Sequence, residues 1–398
     1  MLMDFEHCVY TKFFFGKDAE KKAGPTLAGA GAKTVLLHHD SGAFLYETGL
    51  LDSIKKDLTD AGLRVIELGG VKPNPRISLV REGVALCRKE NVDFILAIGG
   101  GSTIDSSKAI SISVLYDGDP WDFYAKTYKG GLPKRLPLAV ILTYPATGSE
   151  SSTSSVLSNE ETALKRDYSD VLLRPQFAFM NPELTYSLPP YLTACGVVDM
   201  YTHIAERYFA PKTAFGSIDY MAEALMKCLT KYGPLVLANP TDYEARAEIM
   251  WIGAVAHNNT VGVGRRQDWS SHLMGHEVSG MYDIAHGASL SMIMPAWMRY
   301  VYKSDIERFA RYAVEVFGAA YDNDNPEKTA YEGVARTEAF FKSLNMPVRF
   351  ADLNLPTDQL ATLAKKAISV RSPIGSFVPL EESDLLAIYK DAAGVTAG

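Results

Sequence analysis

Phe94-Ile-Leu-Ala-Ile98 runs directly into Gly99-Gly100-Gly101-Ser102 and then into Thr-Ile-Asp-Ser-Ser-Lys108. Five consecutive apolar residues read as a strand buried on both faces. The glycines that follow permit a tight turn and let backbone N–H groups come close to an anion. The helix-like stretch after them brings its positive dipole end to the same point. Strand, glycine turn and helix in that order form a phosphate cradle, with Gly100, Gly101 and Ser102 as its binding residues. A turn of this kind also serves packing alone, so its meaning depends on the rest of the chain.

On either side the pattern alternates. Thr34-Val-Leu-Leu37, Leu63 to Leu68 and Leu136 to Thr143 read as strands, whereas Leu50 to Leu58 and Ser78 to Glu90 have helical spacing. Such βαβα alternation predicts a parallel sheet covered by helices on both faces. Gly29-Ala-Gly31 precedes a strand rather than following one, so it reads as a turn and not as a second cradle. From about Pro189 the periodicity becomes helical, over Ala194 to Tyr208, Ser217 to Tyr232, Tyr243 to Asn258, Ile306 to Phe317 and Pro326 to Leu344. Asn181-Pro182 and Leu188-Pro189-Pro190 punctuate the change, because a residue before proline is pushed out of the helical region. The reading is an α/β dinucleotide-binding domain over residues 1–188 and an all-helical metal-binding and substrate domain over 189–398.

Bulk properties exclude several classes. At 398 residues, two domains are the default. A net charge of -7 disfavours nucleic acid as a partner. The apolar stretch Ser289 to Met298 is too short and interrupted to span a bilayer, and Met1-Leu-Met-Asp-Phe-Glu carries acids where a signal peptide carries bases. The four cysteines lie far apart without CxxC spacing, which suits reduced thiols in a cytoplasm.

A second polar turn, Thr143-Tyr-Pro-Ala-Thr147-Gly-Ser-Glu150, follows another buried strand, where open α/β sheets bind ligands. Further along, Asp199 and His203 are four residues apart in a helical pattern and point from one face, as do His272 and His276. His286 follows the turn-prone segment Ser279 to Asp283. Five of the eight histidines fall between positions 203 and 286. One carboxylate with three imidazoles suits ferrous iron or zinc and leaves room for a substrate oxygen. A cradle and a metal site in one chain point to nicotinamide-dependent redox chemistry.

The chain resembles the iron-containing alcohol dehydrogenase family, in its butanol dehydrogenase and aldehyde reductase branch. The match runs almost end to end, through Phe15-Gly-Lys17, Gly69 to Pro75, Gly99 to Ser102 with Asp105 and Lys108, Pro120 to Phe123, and Pro145 to Glu150. It continues through Gly196-Val-Val-Asp199 with His203, Gln267-Asp-Trp269 with His272, Gly275-His-Glu277 and Ala285-His-Gly287. The resemblance implies the fold shared with dehydroquinate synthase, with iron, or zinc in its place, on Asp199, His203, His272 and His286. It implies that His276 lies near the nicotinamide as a proton relay, that Asn74, Gly101, Ser102, Thr143, Thr147 and Lys165 contact the cofactor, and that the enzyme is a homodimer or larger. A dehydroquinate synthase-like lyase is the rival, and its expected Glu and two His ligands with several pocket lysines disfavour it. A non-catalytic nucleotide-binding protein with a structural metal is disfavoured by the open coordination.

Departures from the branch pattern shape the finer expectations. NADPH-using members carry a glycine-rich turn where this chain reads His38-His39-Asp40-Ser41-Gly42. A carboxylate at Asp40 hydrogen-bonds ribose hydroxyls and repels a 2′-phosphate, which favours NADH, while His38 or His39 would act the other way. The alternative is an NADPH-dependent butanol dehydrogenase acting on neutral aldehydes. Arg265 and Arg266 stand where relatives tend to be apolar, and with His257 and Ser154 they form a substrate set suited to an anionic tail. That set predicts a short-chain aldehyde and its primary alcohol as the substrate pair, with an anionic aldehyde such as sulfoacetaldehyde preferred over butanal.

Overall fold

The computed structural model describes residues 3–131, 134–162, 164–211 and 215–395. It divides into two compact units, one of Cys8–Leu188 and the other of Pro189–Gly398 with Met1–His7. The N-terminal residues therefore belong with the helical unit, where the Met3 N–H donates to the Gly264 carbonyl at 2.8 Å.

The first unit carries strands β1 (Lys12–Phe15), β2 (Thr34–Asp40), β3 (Arg64–Val71), β4 (Phe94–Gly99), β5 (Leu138–Leu142), β6 (Ser154–Asn159), β7 (Leu164–Ser169) and β8 (Phe177–Met180). Six of them form one parallel sheet in the order β1-β8-β5-β4-β2-β3, and β6 with β7 is a separate antiparallel hairpin. The central strands β4 and β5 are buried throughout, as their unbroken apolar runs require. On one face Leu27, Leu51, Ile54 and Leu58 pack on Val35, Leu37, Phe94 and Leu96. On the other, His38 of β2 meets Ser106 of the Gly101–Ser113 helix. The chain steps outward from β2 to β3 and then returns to place β4 on the other side of β2. The carboxyl ends of β2 and β4 thus flank the point where strand order reverses, the place where open α/β sheets bind ligands.

The second unit contains helices Pro190–Tyr208, Ser217–Ala238, Tyr243–His257, Ser270–Tyr282, His286–Val301, Ile306–Phe317, Pro326–Ser343, Leu360–Val370 and Glu382–Ala393. Side chains of Asp242, Asp305 and Asn325 cap three of these, each accepting from the backbone N–H three residues on. Two helices, Pro190–Tyr208 and His286–Val301, are buried on nearly all sides, and Phe209 and Trp297 lie in the core around them. Ser279 to Asp283 is not the expected turn. The helix from Ser270 continues to Tyr282 and ends at Asp283, whose φ of 49° is left-handed. No helix among the described residues is long and apolar enough to cross a membrane.

Leu96 sits in the middle of β4 and is fully buried, whereas Leu115 is 55% exposed. Leu96→Ala is expected to cost about 2–5 kcal/mol in denaturant unfolding, and Leu115→Ala to stay within about 0.5 kcal/mol of wild type. Equal effects from the two would contradict the burial of β4.

Candidate metal centre and dinucleotide cradle

In the α/β unit the two polar turns form one site. Gly99 has φ 155°, and a Cβ there would lie 2.8 Å from the Thr103 Cβ and 3.1 Å from Asp40 Oδ2. A Cβ on Gly100 would lie 2.9 Å from the Tyr144 Cβ, and one on Gly101 2.5 Å from Thr147 Oγ1. The cradle is therefore glycine because the second turn and Asp40 crowd it, and because nothing but backbone is to reach the ligand. The Thr143 N–H donates to the Gly99 carbonyl at 3.1 Å. Asp40 pairs in register with Val71 at the end of β3, and beyond it Asn74, itself left-handed at φ 57°, accepts from Lys165 Nζ at 3.0 Å. Asp40, Asn74, Gly100, Gly101, Ser102, Thr143 and Thr147 all follow or close the carboxyl ends of the sheet strands, with Lys165 tied to them through Asn74.

Asp40 is half-buried, and burial pushes its carboxyl upward while the Gly42 N–H, donating to Oδ1 at 2.8 Å, holds it down. His38 and His39 are not available to a phosphate. His38 is bonded to the Leu68 carbonyl and Ser106 Oγ, and burial pushes it down to about 4, so it is neutral. His39 is bonded to the Asp40 carbonyl and to Glu67 Oε1. Asp105 and Lys108 are framework rather than ligand groups. Asp105 accepts from Ser149 Oγ and the Val156 N–H, and Lys108 Nζ donates to the Ser152 and Ser154 carbonyls. Burial lowers Lys108 to about 7 against the pull of Asp105. Ser154, the first residue of β6, is engaged through its carbonyl in that framework.

In the helical unit Asp199 and His203 share one face of the Pro190–Tyr208 helix, His272 lies in the first turn of the Ser270–Tyr282 helix, and His286 opens the His286–Val301 helix. One ligand-type atom from each of Asp199, His272 and His286 lies within 4.8 Å of the others. Asp199 Oδ1 is 3.4 Å from both His203 Nδ1 and His272 Nε2, and 3.9 Å from His286 Nε2. Asp199 Oδ1, His203 Nδ1 and His272 Nε2 are buried without a hydrogen-bond partner among the described residues. Leaving such atoms unbonded costs about 1–3 kcal/mol each, so the donor set fits a divalent cation at their meeting point. His203 is pushed well down by burial and then by His257, which keeps it neutral. Burial also opposes charge on His272, but Glu206 and Asp199 outweigh it and raise the imidazole to about 9.

Surrounding residues fix these rings. His257 stacks on His203 at 4.2 Å, and the His276 ring lies 4.9 Å from that of His286. The Arg207 guanidinium covers Trp269 at 4.5 Å while Arg207 Nη1 donates to the His203 carbonyl. Trp269 precedes the His272 helix with φ 69°, a strained conformation for an aromatic residue of about 1–3 kcal/mol. Arg265 lies elsewhere than expected. Its side chain is 3% exposed and Nη1 bonds Asp219 Oδ1 at 2.9 Å, beside Arg308 on the same oxygen. A guanidinium buried and engaged in this way is removed from the anion-binding set, and Arg266 next to it is exposed.

Residues 11–182 match the iron-containing alcohol dehydrogenase family and residues 193–393 its C-terminal domain. The chain is 37% identical to NADH-dependent butanol dehydrogenase A of Clostridium acetobutylicum, over 98% of this chain and 99% of that one. It is 33% identical to the NADPH-dependent aldehyde reductase YqhD of Escherichia coli, over 89% and 90%. The solved structure of NADH-dependent butanol dehydrogenase A from Thermotoga maritima matches with a TM-score of 0.94 and 33% identity, over 98% of this chain and 99% of that one. The chain belongs to the iron-containing alcohol dehydrogenase family. It is an NAD(P)-linked oxidoreductase of the alcohol dehydrogenase and aldehyde reductase type.

Sequence reading missed Glu206, which is fully buried behind His272. The signal was present, since Glu206 stands seven residues after Asp199 and three after His203 on the same helix. It also missed why Gly287 follows His286. A Cβ on Gly287 would lie 2.6 Å from the Cys195 Cα, one turn before Asp199. Gly287→Ala must therefore push apart two helices that carry ligand-type residues. It is expected to lower stability by about 1–3 kcal/mol and to reduce bound metal in purified protein. Wild-type melting together with full metal content would contradict this close approach.

Proposed function

We propose that this enzyme reduces short-chain aldehydes with NADH and oxidises the corresponding primary alcohols in reverse. The observation that carries the cofactor choice is Asp40 at the reversal point of the sheet, with Oδ2 beside Gly99. A carboxylate there accepts from ribose hydroxyls and repels a 2′-phosphate. His38 is neutral, and both His39 ring nitrogens are already bonded, to the Asp40 carbonyl and Glu67. The NADH-dependent names of the relatives at 37% identity are consistent with this reading.

We assign the cation to Asp199, His203, His272 and His286, as ferrous iron with zinc as the alternative. When bound it supplies Lewis acidity to a carbonyl or alkoxide oxygen. Asp199 contributes negative charge beside the neutral imidazole of His203, and the His203–His257–Trp269 stack limits water on that side. His276, next to His286, holds or passes the proton that the alcohol oxygen gains or loses. With Arg265 bonded to Asp219, a neutral aldehyde such as butanal is the better substrate, and sulfoacetaldehyde the poorer one.

Two measurements test this. Initial rates with NADH and NADPH should favour NADH, and Asp40→Gly should shift the ratio toward NADPH by about one to two powers of ten, from roughly 1–3 kcal/mol of removed repulsion. An unchanged ratio in the variant would contradict the role of Asp40. In a panel of aldehydes, butanal should give the higher kcat/KM. A preference for sulfoacetaldehyde that is lost in Arg266→Ala would instead establish an anionic substrate.

A further inference from the structure

Two of three bonds to the Glu206 carboxylate come from one ligand-type residue, His272, and the third from its neighbour Ser271. Oε1 accepts the Ser271 N–H at 2.6 Å and the His272 N–H at 3.1 Å, and Oε2 is bonded to His272 Nδ1. Its own carbonyl accepts from the Asp268 N–H at 2.9 Å. Two of the free N–H groups at the start of the Ser270–Tyr282 helix are thereby satisfied, and Asp268 satisfies that of Ser270. Of the His272 nitrogens, this leaves Nε2 to face Asp199 Oδ1 at 3.4 Å, without a hydrogen bond among the described residues.

We propose that Glu206 is the positioning residue of the metal centre, fixing His272 as its Nδ1–H tautomer with Nε2 as the ligating atom, and thereby setting metal affinity. This rests on the assignment of the cation to Asp199, His203, His272 and His286. For a neutral ring the bonding pattern allows one arrangement only. A backbone N–H pair on Oε1 demands an acceptor, and Oε2 then accepts from Nδ1, so the ring proton cannot move to Nε2 while the carboxylate is ionised. A carboxylate behind a ligating imidazole also increases the basicity of its far nitrogen. A glutamine in this place cannot substitute, since its carboxamide has one acceptor oxygen and one donor nitrogen. With its oxygen toward the two backbone N–H groups, the NH2 faces Nδ1 and is satisfied only by the Nε2–H tautomer, which blocks ligation through Nε2; in the other orientation the NH2 faces two backbone donors.

The test compares Glu206→Gln with Asp268→Asn, because Asp268 caps the same helix but bonds to Ser270, Ser376 and Phe377 rather than to an imidazole. Co2+ is titrated into metal-free protein against a competing chelator, following the visible absorption of the bound ion, with far-ultraviolet circular dichroism as the check on folding. Glu206→Gln is expected to weaken Co2+ binding by about 10–100-fold and to change the Co2+ spectrum. Asp268→Asn is expected to melt earlier yet bind Co2+ nearly as wild type does. Wild-type affinity and spectrum in Glu206→Gln, or an equal loss of affinity in Asp268→Asn, would overturn the proposal and leave the ligand assignment intact. A wild-type protein that binds no Co2+ would overturn both. Should Glu206→Gln not fold, long-range 1H–15N spectra of Zn2+-loaded wild type decide the matter. They should show His272 protonated at Nδ1 and ligating through Nε2, and ligation through Nδ1 would overturn the proposal.

Discussion

Asp199 Oδ1, His203 Nδ1 and His272 Nε2 face one another in a buried site, without a hydrogen-bond partner among the described residues. Much of the helical unit is arranged around that constraint. The two most deeply buried helices supply Asp199, His203 and His286, and their approach at Gly287 and Cys195 leaves no room for a side chain. A third helix brings His272, held at its start by Glu206 and Asp268 and entered through the strained backbone of Trp269. Strain, unbonded polar atoms and buried charge are each unfavourable in the isolated chain, and a divalent cation at the meeting point offsets them together.

In the α/β unit, chain crossing rather than burial does the corresponding work. The return of β4 to the side of β2 brings the ends of both strands together, so that Asp40 and the three glycines share one crevice. Buried polar groups such as Asp105 and Lys108 then hold the second turn and the β6–β7 hairpin to the Gly101–Ser113 helix. The Ser152 and Ser154 carbonyls that accept from Nζ, with the nearby Asp105 charge, explain why a lysine can be fully buried there.

Much of this was legible in the sequence where the signal was local. The apolar run at Phe94 to Ile98, the glycine turn and the paired spacing of Asp199 with His203 each reflect a single element and its period. The His286–Val301 helix was harder to see, because it is buried on nearly all sides, has no polar face to mark its period and carries Pro295 inside it. Strands β1 and β8 are only four residues long, too short for periodicity to declare them. Arg265 was misread for another reason. Its partner Asp219 lies 46 residues away in the chain, and only the packed helices bring the two together. Glu206 escaped because its partners are reached across helices, although its spacing from His203 was visible.

The central claim is that turnover depends on a cation held by the helical unit, while nucleotide binding belongs to the α/β unit. Chelator-stripped protein, returned to buffer with or without Fe2+, tests it directly when NADH binding is followed by fluorescence and aldehyde reduction by loss of NADH absorbance. The account predicts NADH binding in both samples and turnover only in the one given Fe2+ or a substitute divalent ion. Full aldehyde reduction by protein shown to contain no metal would contradict it.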